Sequence, residues 1–179
     1  MIHDPQLLDK LSAFEEVSFK GTVYRATRKS VDPLASSTNA GRWMMKGVTS
    51  VLYTSLTFEG AMGELCHHWG SLTPKPSKPA TISELAIGIE SSMKLVKTDL
   101  TELGVTDAEF DEPDYINMQK IGAACSFLEI EGLIVPNARW DCNNLVLFTS
   151  NVKSLDSIDL VKSEDINWLE WGLNHNILT

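Results

Sequence analysis

The chain has 179 residues, 43% hydrophobic and 22% charged, which suits one folded domain with a real core and excludes a disordered or fibrous chain. Fifteen Lys and Arg against twenty-four Asp and Glu give a net charge of −9, which repels a phosphate backbone, speaks against direct nucleic-acid binding and suits a basic protein partner. No run of about 18 apolar residues marks a membrane span, and Met1-Ile2-His3-Asp4-Pro5 lacks the basic start and apolar stretch of a signal peptide, so a cytoplasmic setting is expected.

Pro5 to Val17 reads as a helix, with Leu7, Leu8, Leu11 and Phe14 on one face. Thr22 to Ala26 reads as a strand carrying Arg25, and Thr27 to Lys46 as a loop with Ser36-Ser37-Thr38-Asn39 before Gly41. Val51 to Ser55 alternates as a strand, which puts Val51, Tyr53 and Ser55 on one face. Phe58, Ala61, Met62, Leu65, Cys66 and Trp69 then make an apolar helical stripe, with Ser55 or Thr57 as its cap. Gly60 and Gly63 each cost such a helix ~1 kcal/mol against alanine, and a close backbone approach on their side would compensate. Glu64 lies off the stripe, one turn after Gly60 and one before His68.

Three prolines between Pro74 and Pro79 mark a loop inside one domain. Leu85, Ile87 and Ile89 alternate as a strand, Lys94 to Thr98 reads as another, and Asp107 to Asp114 as an acidic, solvated loop. Tyr115 to Glu131 has helical spacing stopped by Gly132; Leu133 to Val135 is a buried strand ended by Pro136. Leu145 to Phe148 and Ile158 to Val161 are further strands, and Ser163 to Trp171 closes the chain as a helix anchored by Trp168 and Trp171. The sum is a mixed α+β domain: a helical segment at 1–20, a main unit at 21–162 and a helical tail at 163–179.

The chemistry-bearing residues gather around Gly41-Arg42-Trp43. Arginine forks match phosphate oxygens, so Arg25 and Arg42 suit an anionic, nucleotide-like ligand; a surface salt bridge is the competing explanation. Gly41 permits close approach, and Trp43 offers a stacking face. Tyr53 and Ser55 on a shared face can hold a planar ring. Glu64, on a helix beside small residues, can steady the positive charge that develops on a sugar as its base departs; a solvated helix glutamate is the competing explanation and the one its spacing alone favours. Asn137 leaves the end of a buried strand, where it either faces a cleft or nucleates an Asx-type turn toward Asp141-Cys142-Asn143-Asn144. Cys66-His67-His68 points in three directions on a helix, so no metal site is expected there. Three cysteines with no CxxC pair give neither a disulfide framework nor a zinc ribbon, and Cys66 and Cys125 fit the core.

Taken together, Val23-Tyr24-Arg25, Gly41-Arg42-Trp43, Val51-Leu52-Tyr53-Thr54-Ser55, Ala61-Met62-Gly63-Glu64, Leu133-Ile134-Val135-Pro136 and Asn144-Leu145-Val146-Leu147-Phe148 resemble, in order and spacing, the RES domain family. The resemblance implies a single α+β domain with an ADP-ribosyltransferase-like mixed sheet core and flanking helices. It implies the toxin of a bacterial toxin–antitoxin pair, with an Xre-type antitoxin as partner and a homodimer within the complex. The implied activity is cleavage of the nicotinamide–ribose bond of NAD⁺, a substrate and not a resident cofactor, with phosphate, water or a protein side chain as acceptor and no metal. By position, Arg25 and Arg42 would hold the phosphates, Tyr53 would pack near the nicotinamide and its ribose, and Glu64 would be the catalytic carboxylate. The family's serine after the strand-ending proline is Asn137 here, which binds by hydrogen bonds but supplies no hydroxyl. The alternative is therefore a catalytically degenerate interaction protein on the same fold.

Overall fold

Period-two alternation of apolar residues builds the sheet, and period 3.6 builds the helices against it. The structure is a computed structural model that describes residues 3–111, 114–154 and 157–178. In chain order its elements are α1 (Pro5–Ser12), β1 (Glu16–Arg28), β2 (Val51–Ser55), α2 (Phe58–Gly70), β3 (Ala80–Lys94), α3 (Lys97–Glu102), α4 (Asp107–Asp111), α5 (Ile116–Phe127), β4 (Gly132–Pro136), β5 (Asn143–Phe148), β6 (Ile158–Ile166) and α6 (Trp168–Asn174).

β1 runs antiparallel to β3 along nearly its whole length, from Glu16↔Met93 to Arg28↔Ala80. β2, β5 and β4 pair antiparallel in that order, and β4 joins the far end of β3 in parallel at Ser92↔Gly132. β1 touches β2 through the single pair Tyr24↔Ser55, so five strands curl back on themselves. β6 adds to the first half of β3, from Ala80↔Ile166 to Ile87↔Ile158.

One face of the curl is filled by Val23, Leu52, Leu85, Ile87, Ile89, Ile134, Leu145 and Leu147, with every one of the five strands contributing. The intervening residues Val51, Leu133, Val135, Val146 and Phe148 face the other way, onto α1, α3 and α5. A third cluster packs α2 and α6 over Ala80 and Ile82. This is the α+β, mixed-sheet single domain that the sequence leads one to expect.

Several limits differ from the sequence reading. Val17, expected in the first helix, belongs to β1, and β1 and β3 run far beyond Thr22–Ala26 and the Leu85–Ile89 alternation because each supplies the other's ladder. The expected unit boundaries at 20/21 and 162/163 fall inside β1 and β6. Lys97 and Thr98 open α3 instead of ending a strand, with Asp99 Oδ2 accepting from the Val96 amide at 2.8 Å. Of the acidic segment read as a loop, residues 107–111 form α4, with Glu109 buried, and Glu112 and Pro113 lie outside the described residues.

Candidate active site

The site forms where β1 and β2 come together. They share one ladder pair, and α2 packs against both strands. Thr57 starts α2, its hydroxyl accepting from the Gly60 amide at 3.0 Å. Beneath the helix lies a hollow of about 230 Å³ lined by Tyr24 and Arg25 of β1, Tyr53 and Ser55 of β2, and Glu64 and His68 of α2. Ala61, Leu65 and Trp69 close its apolar side. Arg25, Tyr53, Ser55 and Glu64, carried by three different elements, thus share one cleft.

Arg25 is only partly satisfied. Its Nη2 donates to the Ala35 carbonyl at 2.8 Å, while Nη1 is buried with no acceptor among the described residues. Burial lowers its pKa, and the charge of Asp32 acts the other way. A buried guanidinium donor left open is costly to the fold and is satisfied by an anionic oxygen arriving beside it.

Tyr53 contributes its ring and a neutral hydroxyl. Burial pushes its pKa up to about 12; the Trp43 amide, donating to the phenol oxygen at 3.3 Å, works against this, as does the charge of Arg42, while Glu64 adds to it. Gly41 packs so closely that a Cβ there would sit 2.6 Å from the phenol oxygen, which explains glycine at that position.

Glu64 is fixed from the sheet. The Asn144 side-chain amide on β5 donates to Glu64 Oε1 at 2.9 Å, and Asn144 Oδ1 accepts from Asn137 Nδ2 at 2.8 Å. The two Asn137 atoms are fully committed: Oδ1 accepts from the amides of Arg139 at 2.7 Å and Trp140 at 3.0 Å, and Nδ2 also lies 3.3 Å from the Gly60 carbonyl. Gly60 has no side chain because Ser55, Cys142 and Asn137 occupy that space.

Two expected ligand contacts lie elsewhere. Asn137 is buried and does not line the hollow; the Asx-type turn wins, because two backbone amides claim its oxygen. Arg42 does not line the hollow either. Its Nη1 donates to the Phe110 carbonyl at 2.7 Å, and its guanidinium lies 4.6 Å from the centre of the Tyr115 ring and 5.6 Å from that of Phe110. Its charge still reaches Tyr53. Ser55 lines the hollow but is almost wholly buried, with Oγ 3.4 Å from both Cys142 Sγ and the Asn143 carbonyl. Cys66 turns inward and donates to the Trp168 carbonyl, away from the exposed His67 and from His68.

Asn144 and Tyr24 were not singled out for the site from sequence. The signal for Asn144 was present: one polar residue opening an otherwise apolar strand, Asn144-Leu145-Val146-Leu147-Phe148, sits where β5 meets Ser55.

A family model described as the RES domain matches residues 22–169. Among solved structures, one chain of the M. tuberculosis MbcT–MbcA toxin–antitoxin complex superposes with a TM-score of 0.82, covering 95% of this chain and 97% of that one at 18% identity. That identity carries the fold and nothing finer. No curated protein matches the sequence significantly.

Proposed function

This chain belongs to the RES domain family, and on that premise we propose that it is the toxin of a toxin–antitoxin pair that breaks the nicotinamide–ribose bond of NAD⁺. The observation that carries the reading is the meeting of opposites in one hollow: an arginine with an unanswered buried donor and a glutamate held by a side-chain amide. A diphosphate ester calls for the first and a sugar cation for the second.

In this reading Arg25 meets a phosphate oxygen. Tyr53 packs its ring near the nicotinamide and its ribose, its hydroxyl neutral at physiological pH. As the glycosidic bond breaks, the bonding pair leaves with the nicotinamide, which departs neutral. The positive charge left on the ribose is stabilised by the Glu64 carboxylate until an acceptor oxygen attacks. Phosphate, water and a protein side chain are all chemically competent acceptors. The hollow is smaller than the roughly 300–1,000 Å³ of a typical ligand pocket, so it takes the nicotinamide–ribose end with the phosphate that meets Arg25 and leaves the adenosine end over its open rim. Arg42 contributes positive charge beyond Tyr53 and holds the α4 segment.

An Xre-type antitoxin is the proposed partner, acting in the cytoplasm and binding the toxin as a homodimer; the likeness to a chain from a toxin–antitoxin complex supports an antitoxin. The test is incubation of purified protein with NAD⁺, with and without phosphate, following nicotinamide release. Stoichiometric release, slowed about 10²–10³-fold in Glu64→Gln, is expected. NAD⁺ left intact, with no labelled protein in lysate, would replace this reading with a non-catalytic binding protein on the same fold.

A further inference from the structure

We infer that Asn137 and Asn144 form a directional hydrogen-bond relay that orients Glu64 and holds it as an acceptor, making both asparagines positioning residues for the carboxylate. The catalytic importance of the relay rests on the function proposed above; its geometry does not.

The direction of the relay follows from its two ends. Backbone amides can only donate, and two of them, from Arg139 and Trp140, converge on one Asn137 side-chain atom. That atom must be the oxygen, so the Asn137 NH₂ must face Asn144. The atom of Asn144 that meets it must then be its oxygen, and the Asn144 NH₂ is left pointing at Glu64 Oε1. Every amide orientation between the 138–140 turn and α2 is thereby determined. The last acceptor is a carboxylate oxygen, which receives this bond best when ionised.

The elements that carry the relay are rigid. Asn144 lies in mid-sheet, paired with Ser55 on β2 and Val135 on β4. Asn137 is anchored from both sides, its amide nitrogen also donating to the Cys142 carbonyl at 2.9 Å. Asn137 Nδ2 reaches the Gly60 carbonyl as well, tying the first turn of α2 to the turn after β4. The carboxylate one helical turn later is therefore placed by the sheet as well as by its own helix. The other polar residues that line the hollow are Tyr24 and Arg25 from β1, Tyr53, Thr54 and Ser55 from β2 and His68 from α2.

The relay gives Asn137 a role that a shorter hydroxyl side chain does not fill. A serine hydroxyl can accept and donate, but its oxygen stands where the Asn137 Cγ does, one bond short of Nδ2, so it falls short of Asn144 Oδ1. Without that donor the Asn144 amide is free to flip and present its oxygen to Glu64, which repels it.

The experiment compares wild type, Asn144→Asp and Asn137→Ser by two readouts. The first is the pH profile of kcat/KM for nicotinamide release. The second is carboxyl NMR titration of Glu64 in glutamate-labelled protein, which needs no turnover. Asn144→Asp is nearly isosteric but puts a second carboxyl where the donor was. It should move the acid limb of the pH profile upward, because neighbouring carboxylates resist joint ionisation. It should lower kcat at least ~10-fold and leave KM within about twofold. Asn137→Ser, which keeps the turn, should give a smaller kcat loss with the melting temperature near wild type. An unchanged Glu64 titration in Asn144→Asp, or in Asn137→Ser if the first does not fold, overturns the relay. Intact NAD⁺ in wild type together with a shifted Glu64 titration in the variant defeats the proposed activity and leaves the relay standing.

Discussion

Asn144 Nδ2 and Glu64 Oε1 stand 2.9 Å apart across 80 residues of chain, the amide on the sheet and the carboxylate on the helix that crosses it. The contact ties α2 to β5 at the point where the hollow opens. Glu64→Gln keeps the shape and removes the charge, so NAD⁺ should still bind while the developing ribose cation loses its counter-charge. A loss of about 10²–10³ in kcat is expected, comparable with removing one preorganised electrostatic group, with the KM near wild type. Steady-state kinetics decide it, and retained turnover would remove Glu64 from the mechanism.

Arg25 is a residue whose interests in folding and function diverge. Its open Nη1 is costly to the free protein, and its Nη2 is held only by the Ala35 backbone carbonyl among the described residues. Arg25→Met should therefore leave the melting temperature unchanged or raised, the signature of a strained site relieved. It should also abolish the thermal shift that ADP-ribose produces in wild type. A variant that melts lower yet keeps the shift would show the arginine to be structural.

Arg42 makes the opposite case. Its guanidinium is spent on the Phe110 carbonyl and on the faces of Tyr115 and Phe110. Arg42→Ala leaves that carbonyl without its donor and frees the α4 segment, at a cost of about 1–3 kcal/mol. Hydrogen exchange should quicken around residues 107–111, and activity should fall as a consequence. Unaltered exchange together with a large rise in KM would instead return Arg42 to direct ligand contact.

Glu64, Arg25, Tyr53 and Ser55 were legible because each sits in an element whose periodicity is strong, and the fold brings those elements together around the hollow. Arg42 and Asn137 were misplaced for a common reason. Both are polar residues in irregular segments, where the choice between ligand and backbone depends on which carbonyl or amide the fold leaves open, and no sequence pattern records that. The lengths of β1 and β3 escaped notice because pairing between two partly polar strands rewards the backbone, whatever their side-chain alternation. Asn144 shows the limit most clearly: its importance lies in a contact 80 residues away.

The two glycines of α2 should respond to alanine in opposite ways. At Gly63 a new Cβ meets the Arg139 carbonyl and the Trp140 ring at 3.6 Å, ordinary contact distance, so Gly63→Ala should stabilise the protein by up to ~1 kcal/mol. At Gly60 the same atom collides with Ser55 Oγ and Cys142 Sγ and lies 3.1 Å from Asn137 Nδ2. Overpacking there costs about 1–3 kcal/mol and outweighs the helix gain. It also pushes on the asparagine that orients Asn144, so activity should fall further than stability does. Chemical denaturation of both variants checks the signs, and a stabilised, fully active Gly60→Ala would contradict the packing described for the start of α2.

Glu131 should set the acid limit of the fold. It is buried at 1% exposure with no ion pair to its carboxylate oxygens among the described residues; they accept instead from the backbone amides of Glu90 at 2.8 Å, Ser91 at 2.9 Å and Lys153 at 3.0 Å. Burial opposes its charge, but those amides and the Lys153 charge outweigh burial and hold the pKa below the usual carboxylate value. A depressed folded-state pKa means that the unfolded chain takes up the proton first as pH falls. The contribution of Glu131 is therefore intact above the ordinary carboxylate range and is lost as pH drops through its folded value. Glu131→Gln puts an amide NH₂ against donors and should cost about 2–4 kcal/mol at neutral pH. It should cost progressively less in acid, so the stability curves of variant and wild type converge as pH falls from the ordinary carboxylate range through the lower folded-state value. Parallel curves across that range would mean that the three amides hold the side chain's shape and not its charge.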